Sequence, residues 1–155
     1  MAVYRKAKNL SREDAAYIAG LIDGEGTLSL SRRHRGENRQ FVISISNTES
    51  KLLNYVRRVV GVGRTTRKRT SKSNHTPSST YTIRNRHALD LLRQITPYLR
   101  TYKAKRAKLV LDHYLRLTPR NGKYTAAQKK ARAAFVTKFL FMNPRQPATL
   151  RLDDS

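Results

Sequence analysis

The segment from Tyr17 to Gly26 joins a helix-forming stretch to a cluster of glycines, and it restricts the possible fold more than any other part of the chain. Ser11 is a suitable N-cap for this helix, and the acids at positions 13 and 14 fall in the first turn, where the helix dipole favours negative charge. Glycine inside a helix costs about 1 kcal/mol relative to alanine, so Gly20 predicts a second backbone packed close to it. After Ile22, two glycines and two carboxylates predict a break in the helix with acidic groups at its end.

The charge balance predicts a polyanionic partner. The 155 residues contain 33 Lys+Arg against 10 Asp+Glu, a formal net charge of +23, and nucleic acid is the leading candidate for such an excess. The chain has no cysteine, which excludes disulfides and thiolate metal sites. It has no run of about 18 apolar residues that would predict a transmembrane helix, and no apolar secretory signal at the N-terminus. We therefore expect one domain, residues 1–155, inside a cell (in the cytoplasm or nucleoid of a prokaryote, or in an organelle), with no membrane or small-molecule partner.

The periodicity of apolar residues predicts an α+β fold. Alternation predicts strands at 27–33, 39–46 and 80–84, and the very basic segment 64–70 is a β-permissive candidate for a further strand. Spacings of three and four residues predict helices at about 11–22, 48–60, 87–99, 103–117 and 124–142. Thr48 or Ser50 is the candidate cap of the second helix, and 71–79 is a candidate hairpin tip. The order αββαββα predicts a four-stranded antiparallel sheet with helices on one face, in a core of about 10–117, followed by a C-terminal helical extension at about 118–155.

The polar face of this sheet is a candidate DNA-binding surface. It carries four cations, six hydroxyls, one amide and no acid: Ser29, Ser31, Arg33, Gln40, Ser44, Arg64, Thr66, Lys68, Thr80, Thr82 and Arg84. A β-ribbon of this kind can read base edges in the major groove, whereas the alternative is an ordinary solvated face. The aromatic residues Phe41 and Tyr81 fall on the inward parity, which argues against base stacking on single-stranded RNA.

The segment from Ile18 to Gly26 resembles the motif of the LAGLIDADG homing endonucleases, and Ala19-Gly20-Leu21-Ile22-Asp23 is identical to it. The resemblance implies the αββαββα saddle and sequence-specific cleavage of double-stranded DNA. The motif occurs once, and family members with one motif are homodimers that read near-palindromic sites. The dimer interface is therefore expected at Ala16, Ala19, Gly20 and Asp23.

The two acids at the end of the first helix are the candidate metal-binding groups. Among ten acids, only Asp23 and Glu25 stand at a glycine-flanked helix end beside the basic face. Phosphodiester hydrolysis uses a hard cation, and Mg²⁺ binds one or two carboxylates together with water and phosphates. The resemblance implies that Glu25, where the family usually has Asp, is the catalytic metal ligand, and that the Gly24 carbonyl is the second. Asp23 is expected to brace the helix end. The expected cofactor is Mg²⁺, and Mn²⁺ or Ca²⁺ are able to occupy the site.

The resemblance also implies further catalytic residues. Asn47 matches a polar side chain near the attacking water, and Lys103 matches a basic residue that stabilises the transition state. Lys51 is a weaker match to a catalytic residue of the family, because a gap is needed nearby to align it. From the residues alone, Asn47 is equally well explained as a strand-end turn residue, and Lys103 as a plain surface lysine.

The predicted function is that of a Mg²⁺-dependent homing endonuclease that hydrolyses both strands of a long, near-palindromic DNA site. Two alternatives stay open at this stage. One is a maturase of the same fold that binds intron RNA and assists splicing, and the other is a non-catalytic basic protein that binds nucleic acid. A non-catalytic basic protein would explain the net charge but not the Gly-Glu-Gly segment.

Overall fold

The computed structural model describes residues 4–68 and 76–145. Within these, the elements in chain order are α1 (Arg12–Glu25), β1 (Gly26–Ser31), β2 (Gln40–Asn47), α2 (Ser50–Val60), β3 (Arg64–Arg67), β4 (Ser79–Arg84), α3 (Asn85–Ile95), a 3₁₀ turn (Thr96–Tyr98), α4 (Lys103–His113) and α5 (Ala126–Phe141). The chain forms two compact units that meet in sequence between Arg100 and Thr101. This boundary falls inside the stretch that the sequence predicted as the core.

The first unit is a four-stranded antiparallel sheet in the order β1-β2-β4-β3. The register places Leu28 opposite Ile43 and Ile43 opposite Ile83, and all three side chains are buried. Residues of the other parity, such as Ser44, are at least partly exposed, with the exception of the buried Val42. Helices α1, α2 and α3 pack on the apolar side of the sheet. The predicted α+β fold, with helices on one face of an antiparallel sheet, is confirmed.

The hydrophobic effect explains this layering. Leu53 and Val56 of α2 and Leu92 of α3 are fully buried, and each contributes about 1.5–3 kcal/mol when it is removed from water. The buried helix residues recur at the spacing of an amphipathic helix, and the buried strand residues alternate with exposed ones. Each element therefore has one apolar face, which is removed from water only when the helix layer packs on the sheet.

Helix α1 begins where the sequence predicted and ends later. The Ser11 hydroxyl accepts a hydrogen bond from the Asp14 amide at 3.1 Å and caps the helix. The predicted break after Ile22 is wrong, because the helix continues through Gly24 to Glu25. The end comes at Gly26, whose amide bonds to the Ile22 carbonyl and whose backbone is extended. A Cβ at Gly26 would lie 2.7 Å from the Ile22 Cα, so strand β1 leaves the helix at a point where only glycine fits.

Other element ends differ from the prediction by a few residues. Neither Thr48 nor Ser50 caps α2; the N-cap is Glu49, whose amide is bound by the Asn47 side chain at 2.7 Å. Helix α3 begins at Asn85 and stops before the 3₁₀ turn that contains Pro97, where no amide hydrogen is available to continue an α-helix. The predicted hairpin tip at 71–79 lies mostly outside the described residues.

The second unit contains α4 and α5. The rings of Tyr114 and Phe135 lie 6.4 Å apart, and the buried Arg132 donates to the Leu117 carbonyl at 2.7 Å. Thr125 and Gln128 form a reciprocal capping box at the start of α5. In the portion of the chain that is described, no helix combines the length and the apolar character required to cross a bilayer.

Candidate active site and DNA-binding face

Two predicted catalytic residues, Glu25 and Asn47, are in direct contact. The Asn47 Nδ2 donates to Glu25 Oε2 at 2.5 Å, and the Asn47 Oδ1 accepts from the Glu49 amide at 2.7 Å. Glu25 ends α1, and β1 begins immediately after it and pairs antiparallel with β2, so Gly26 lies opposite Ile45. The end of β2 is therefore brought to the end of α1, and the amide of Asn47 orients an exposed carboxylate.

The oxygens at this helix end suit a hard divalent cation. Gly24 is exposed in the last turn of α1, where the final carbonyls of a helix have no intrahelical donor. A carboxylate from Glu25 and this carbonyl match the way Mg²⁺ binds proteins, with few protein ligands and the remainder from water and phosphate oxygens. Within residues 4–68 and 76–145, no three His, Asp or Glu side chains cluster closely enough to hold a metal by themselves.

Asp23 braces the end of α1. Its Oδ2 accepts a hydrogen bond from the Arg100 amide at 2.8 Å, so the carboxylate fixes the helix end to the segment that follows the 3₁₀ turn. The carboxylate of Asp23, the acid nearest to Glu25 in the sequence, therefore has a structural role.

Ala19 is not available to a partner chain. Of the small residues predicted at a dimer interface, Ala16 and Gly20 are exposed, but Ala19 is 0% exposed within the protomer. The helix turns by 100° per residue, so positions 16 and 20 face outward together while position 19 faces the interior. Ala19 is therefore removed from the predicted interface.

The two predicted lysines lie in different units. Lys51 is exposed in the first turn of α2, two residues after Glu49. Lys103 begins α4 in the second unit, is only 7% exposed, and holds its ammonium 5.8 Å from the centre of the Tyr102 ring. It is therefore not a plain surface lysine, and the catalytic roles of both residues stay predictions.

Nine of the eleven predicted DNA-binding residues share one face of the sheet. The register places Ser31 opposite Gln40, and Thr82 between Ser44 and Arg64, and none of the eleven residues is buried. Arg33 and Lys68 lie just beyond the strand ends and are exposed. The four strands contain no Asp or Glu.

Strand parity also identifies face residues that the predicted set left out. Thr27 lies opposite Ser44, and Ser46 lies opposite Thr80, with their hydroxyl oxygens 2.7 Å apart. Val42 has the same parity but is only 4% exposed, so the face is polar with one apolar position.

Comparisons with known proteins agree with this architecture. The sequence model described as LAGLIDADG endonuclease matches residues 18–117, and no curated protein matches the chain. The homing endonuclease I-CvuI in complex with its DNA target superimposes with a TM-score of 0.68 at 18% identity, over 86% of this chain and 83% of that one. I-TnaI gives a TM-score of 0.55 at 18% identity, over 94% and 95%.

A longer relative is also similar. I-GzeII in complex with its DNA target gives a TM-score of 0.63 at 10% identity, over 94% of this chain but 49% of that protein. At these identities the structural likeness shows the fold, and the family is shown by the sequence match across residues 18–117. The chain belongs to the LAGLIDADG endonuclease family.

Proposed function

We propose that this protein is a divalent-metal-dependent homing endonuclease that cuts both strands of duplex DNA as a homodimer. The observation that carries the proposal is the exposed Glu25 carboxylate at the end of α1, oriented by Asn47 at 2.5 Å. In a family of DNA endonucleases, we infer that this carboxylate binds the catalytic cation.

Glu25 and the Gly24 carbonyl would hold Mg²⁺, with Mn²⁺ or Ca²⁺ as substitutes. When bound, such a cation activates water and neutralises charge on the departing oxygen. Asn47 keeps the Glu25 carboxylate in one orientation, and Asp23 keeps the helix end in place through Arg100. Related I-CvuI complexes were obtained in the presence of 2 mM Ca or 2 mM Mg.

The sheet face would bind the duplex. Arg64 and Arg84 are exposed on it, and arginine can bridge guanine O6 and N7, with each good bidentate pair contributing about 1–3 kcal/mol of discrimination. The absence of acids on the strands removes repulsion from phosphates, and the net charge of +23 favours binding to polyanions.

Two observations support the homodimer. A Cβ built on Gly20 would meet no atom within 4 Å in the protomer, although glycine costs about 1 kcal/mol relative to alanine in a helix. A partner helix packed against Gly20 and Ala16 would explain the missing side chain. In addition, the chain corresponds to 49% of I-GzeII, so two copies would approach the length of that protein.

The decisive substitution is Glu25→Gln, which keeps the shape of the side chain and removes its charge. A DNA target would first be selected from a randomised duplex library by binding to the wild-type protein. We expect the wild type to cut this duplex in Mg²⁺ and not in EDTA, and Glu25→Gln to bind it equally well without cutting. Glu13→Gln, at the other end of the same helix, is the matched control and should cut normally.

The outcomes distinguish the alternatives. Cutting by Glu25→Gln would remove that residue from catalysis, and cutting by the wild type in EDTA would exclude a metal requirement. Tight binding without cleavage under any condition would favour a non-catalytic binder, and a preference for structured intron RNA over duplex DNA would favour a maturase.

A further inference from the structure

A basic groove of about 410 Å³ lies outside the proposed active site and the strand face. It is lined by Arg5 and Lys8 of the N-terminal segment and by Asn54, Arg57, Arg58 and Gly61 along α2 and its end. Four cations thus meet without an acid in the lining. In the described part of the chain, none of the four forms an ion pair with a carboxylate.

The N-terminal segment is fixed against α2 and α3 by its backbone. The Lys8 amide donates to the Val60 carbonyl at 2.8 Å, and the Leu10 amide donates to the Gln94 side chain at 2.7 Å. Gly61 adopts a left-handed conformation with φ of 80°, and a Cβ there would lie 2.8 Å from the Lys8 Cγ. The aliphatic part of Lys8 therefore lies directly over the end of α2, and its charge is placed beside the arginines.

The groove lies on the side of the sheet opposite to the proposed DNA-binding face. The buried face of α2, represented by Leu53 and Val56, packs on β2 and β4. Asn54, Arg57 and Arg58 are exposed on the other side of this helix. A helix layer about 10 Å thick and the sheet itself separate the two surfaces, so a straight duplex on the strand face would not neutralise the groove.

Helix electrostatics explain only part of this charge. The C-terminus of a helix carries about half a negative elementary charge and favours one or two cations, and the Lys8 Nζ lies 3.4 Å from the Arg58 carbonyl. The groove holds four cations, at least twice the number that the helix end favours. Apart from the four cations, the lining residues are Asn54 and Gly61, so the remaining charge suits phosphates.

We propose that this groove binds the phosphodiester backbone of a second nucleic-acid strand, independently of the duplex on the strand face. The ligand is recognised as a run of phosphates, either RNA or DNA. The proposal does not depend on metal binding or cleavage at Glu25.

The test compares two double variants that each lose two positive charges. Arg57→Gln/Arg58→Gln removes half of the groove charge, and Lys129→Gln/Lys130→Gln removes exposed charge from α5. Binding of fluorescent single-stranded RNA, single-stranded DNA and duplex DNA is measured against salt. The groove variant should lose about tenfold in single-strand affinity at about 0.15 M salt and about 1.4 in the slope of log affinity against log salt. The control should lose less than twofold in affinity.

Photocrosslinking gives a readout that does not depend on the stability of a variant. Thiouridine-containing RNA bound to the wild-type protein should crosslink to peptides from 4–10 and 50–61. Equal losses for the two double variants, crosslinks confined to strands β1–β4, or binding to anionic lipid vesicles in place of oligonucleotides would overturn the proposal. A preference between RNA and DNA would identify which of the two the groove uses.

Discussion

At the scale of single residues, Asn47 links the end of β2 to the carboxylate of Glu25. Asn47→Ala would leave Glu25 in place but remove its hydrogen-bond donor. Partners of metal ligands typically affect metal affinity by about 10–100-fold. We therefore expect the Mg²⁺ concentration for half-maximal cleavage to rise by about that factor, with cleavage restored at higher Mg²⁺ and DNA binding unchanged.

A matched control separates this role from a local turn. Asn121 also accepts a hydrogen bond from an amide two residues later, at 3.0 Å, so Asn121→Ala removes the same kind of turn contact. Its Mg²⁺ dependence should equal that of the wild type. If Asn47→Ala also shows wild-type Mg²⁺ dependence, Asn47 does not position the metal ligand.

We expect Tyr55 to make the stability of the fold sensitive to alkaline pH. Its hydroxyl donates to the Asp14 carboxylate of α1, and desolvation together with this bond raises the pKa of Tyr55 from 10.0 to about 12. A raised pKa means that the folded state favours the neutral phenol, so the stabilisation is complete below pH 10 and is lost as pH rises through about 12. Urea unfolding should show a steeper fall in the free energy of unfolding across this window for the wild type than for Tyr55→Phe. Parallel curves would assign the pH dependence to other groups.

The sequence predicted several site residues because each has a local signal. Glu25 is marked by the adjoining glycines, and the strand-face residues are marked by alternation, which is a property of the β-strand itself. The contact between Glu25 and Asn47 depends instead on how β2 is aligned with β1, and the burial of Ala19 depends on which side of α1 meets the interior. Spacing correctly predicted that Lys103 opens a helix, but its burial depends on tertiary packing, which spacing does not specify.

At the scale of secondary-structure elements, the turn between α2 and β3 depends on two glycines with left-handed backbones. Gly61 has φ of 80° and Gly63 has φ of 106°. A Cβ at Gly63 would lie 2.5 Å from the hydroxyl of Tyr81, which is fully buried and donates to the Val62 carbonyl at 2.6 Å. Burial raises the pKa of Tyr81 above its ordinary value, so this hydroxyl remains a donor at higher pH than an exposed tyrosine would.

Substitution of these two glycines should therefore have unequal effects. Gly61→Ala meets the flexible stem of Lys8 and should cost about 1–2 kcal/mol for the left-handed backbone alone. Gly63→Ala meets a rigid buried ring and should cost about 1–3 kcal/mol more, because the core must shift. Urea midpoints with unchanged m-values measure the difference. Equal destabilisation would mean that Tyr81 moves aside freely.

The elements themselves were predictable, but their ends were less so. Alternation identified β1, β2 and β4 because the polar face is exposed and the apolar face is covered by helices, whereas β3 was predicted only as a β-permissive basic segment. Helix α1 was predicted to break after Ile22, yet Gly24 is exposed and remains helical, and the chain leaves the helix only at Gly26. Propensity marks where a helix can end, whereas the close contact of Gly26 with Ile22 decides where it does.

At the scale of the whole molecule, the proposed dimer depends on the exposed side of α1. Gly20→Glu would place a bulky anion where a Cβ meets nothing within 4 Å in the protomer, so the isolated chain should keep its helix content and thermal midpoint. In the dimer, two such side chains would face each other across the symmetry axis, and their bulk and like charge should dissociate it. Sedimentation velocity should show a dimer for the wild type and a monomer for Gly20→Glu, which should also lose double-strand cleavage.

The matched control is Ala133→Glu, because Ala133 is another small exposed residue in a helix, and this variant should remain dimeric. A dimeric Gly20→Glu, or a monomeric wild type at micromolar concentration, would exclude the interface on α1.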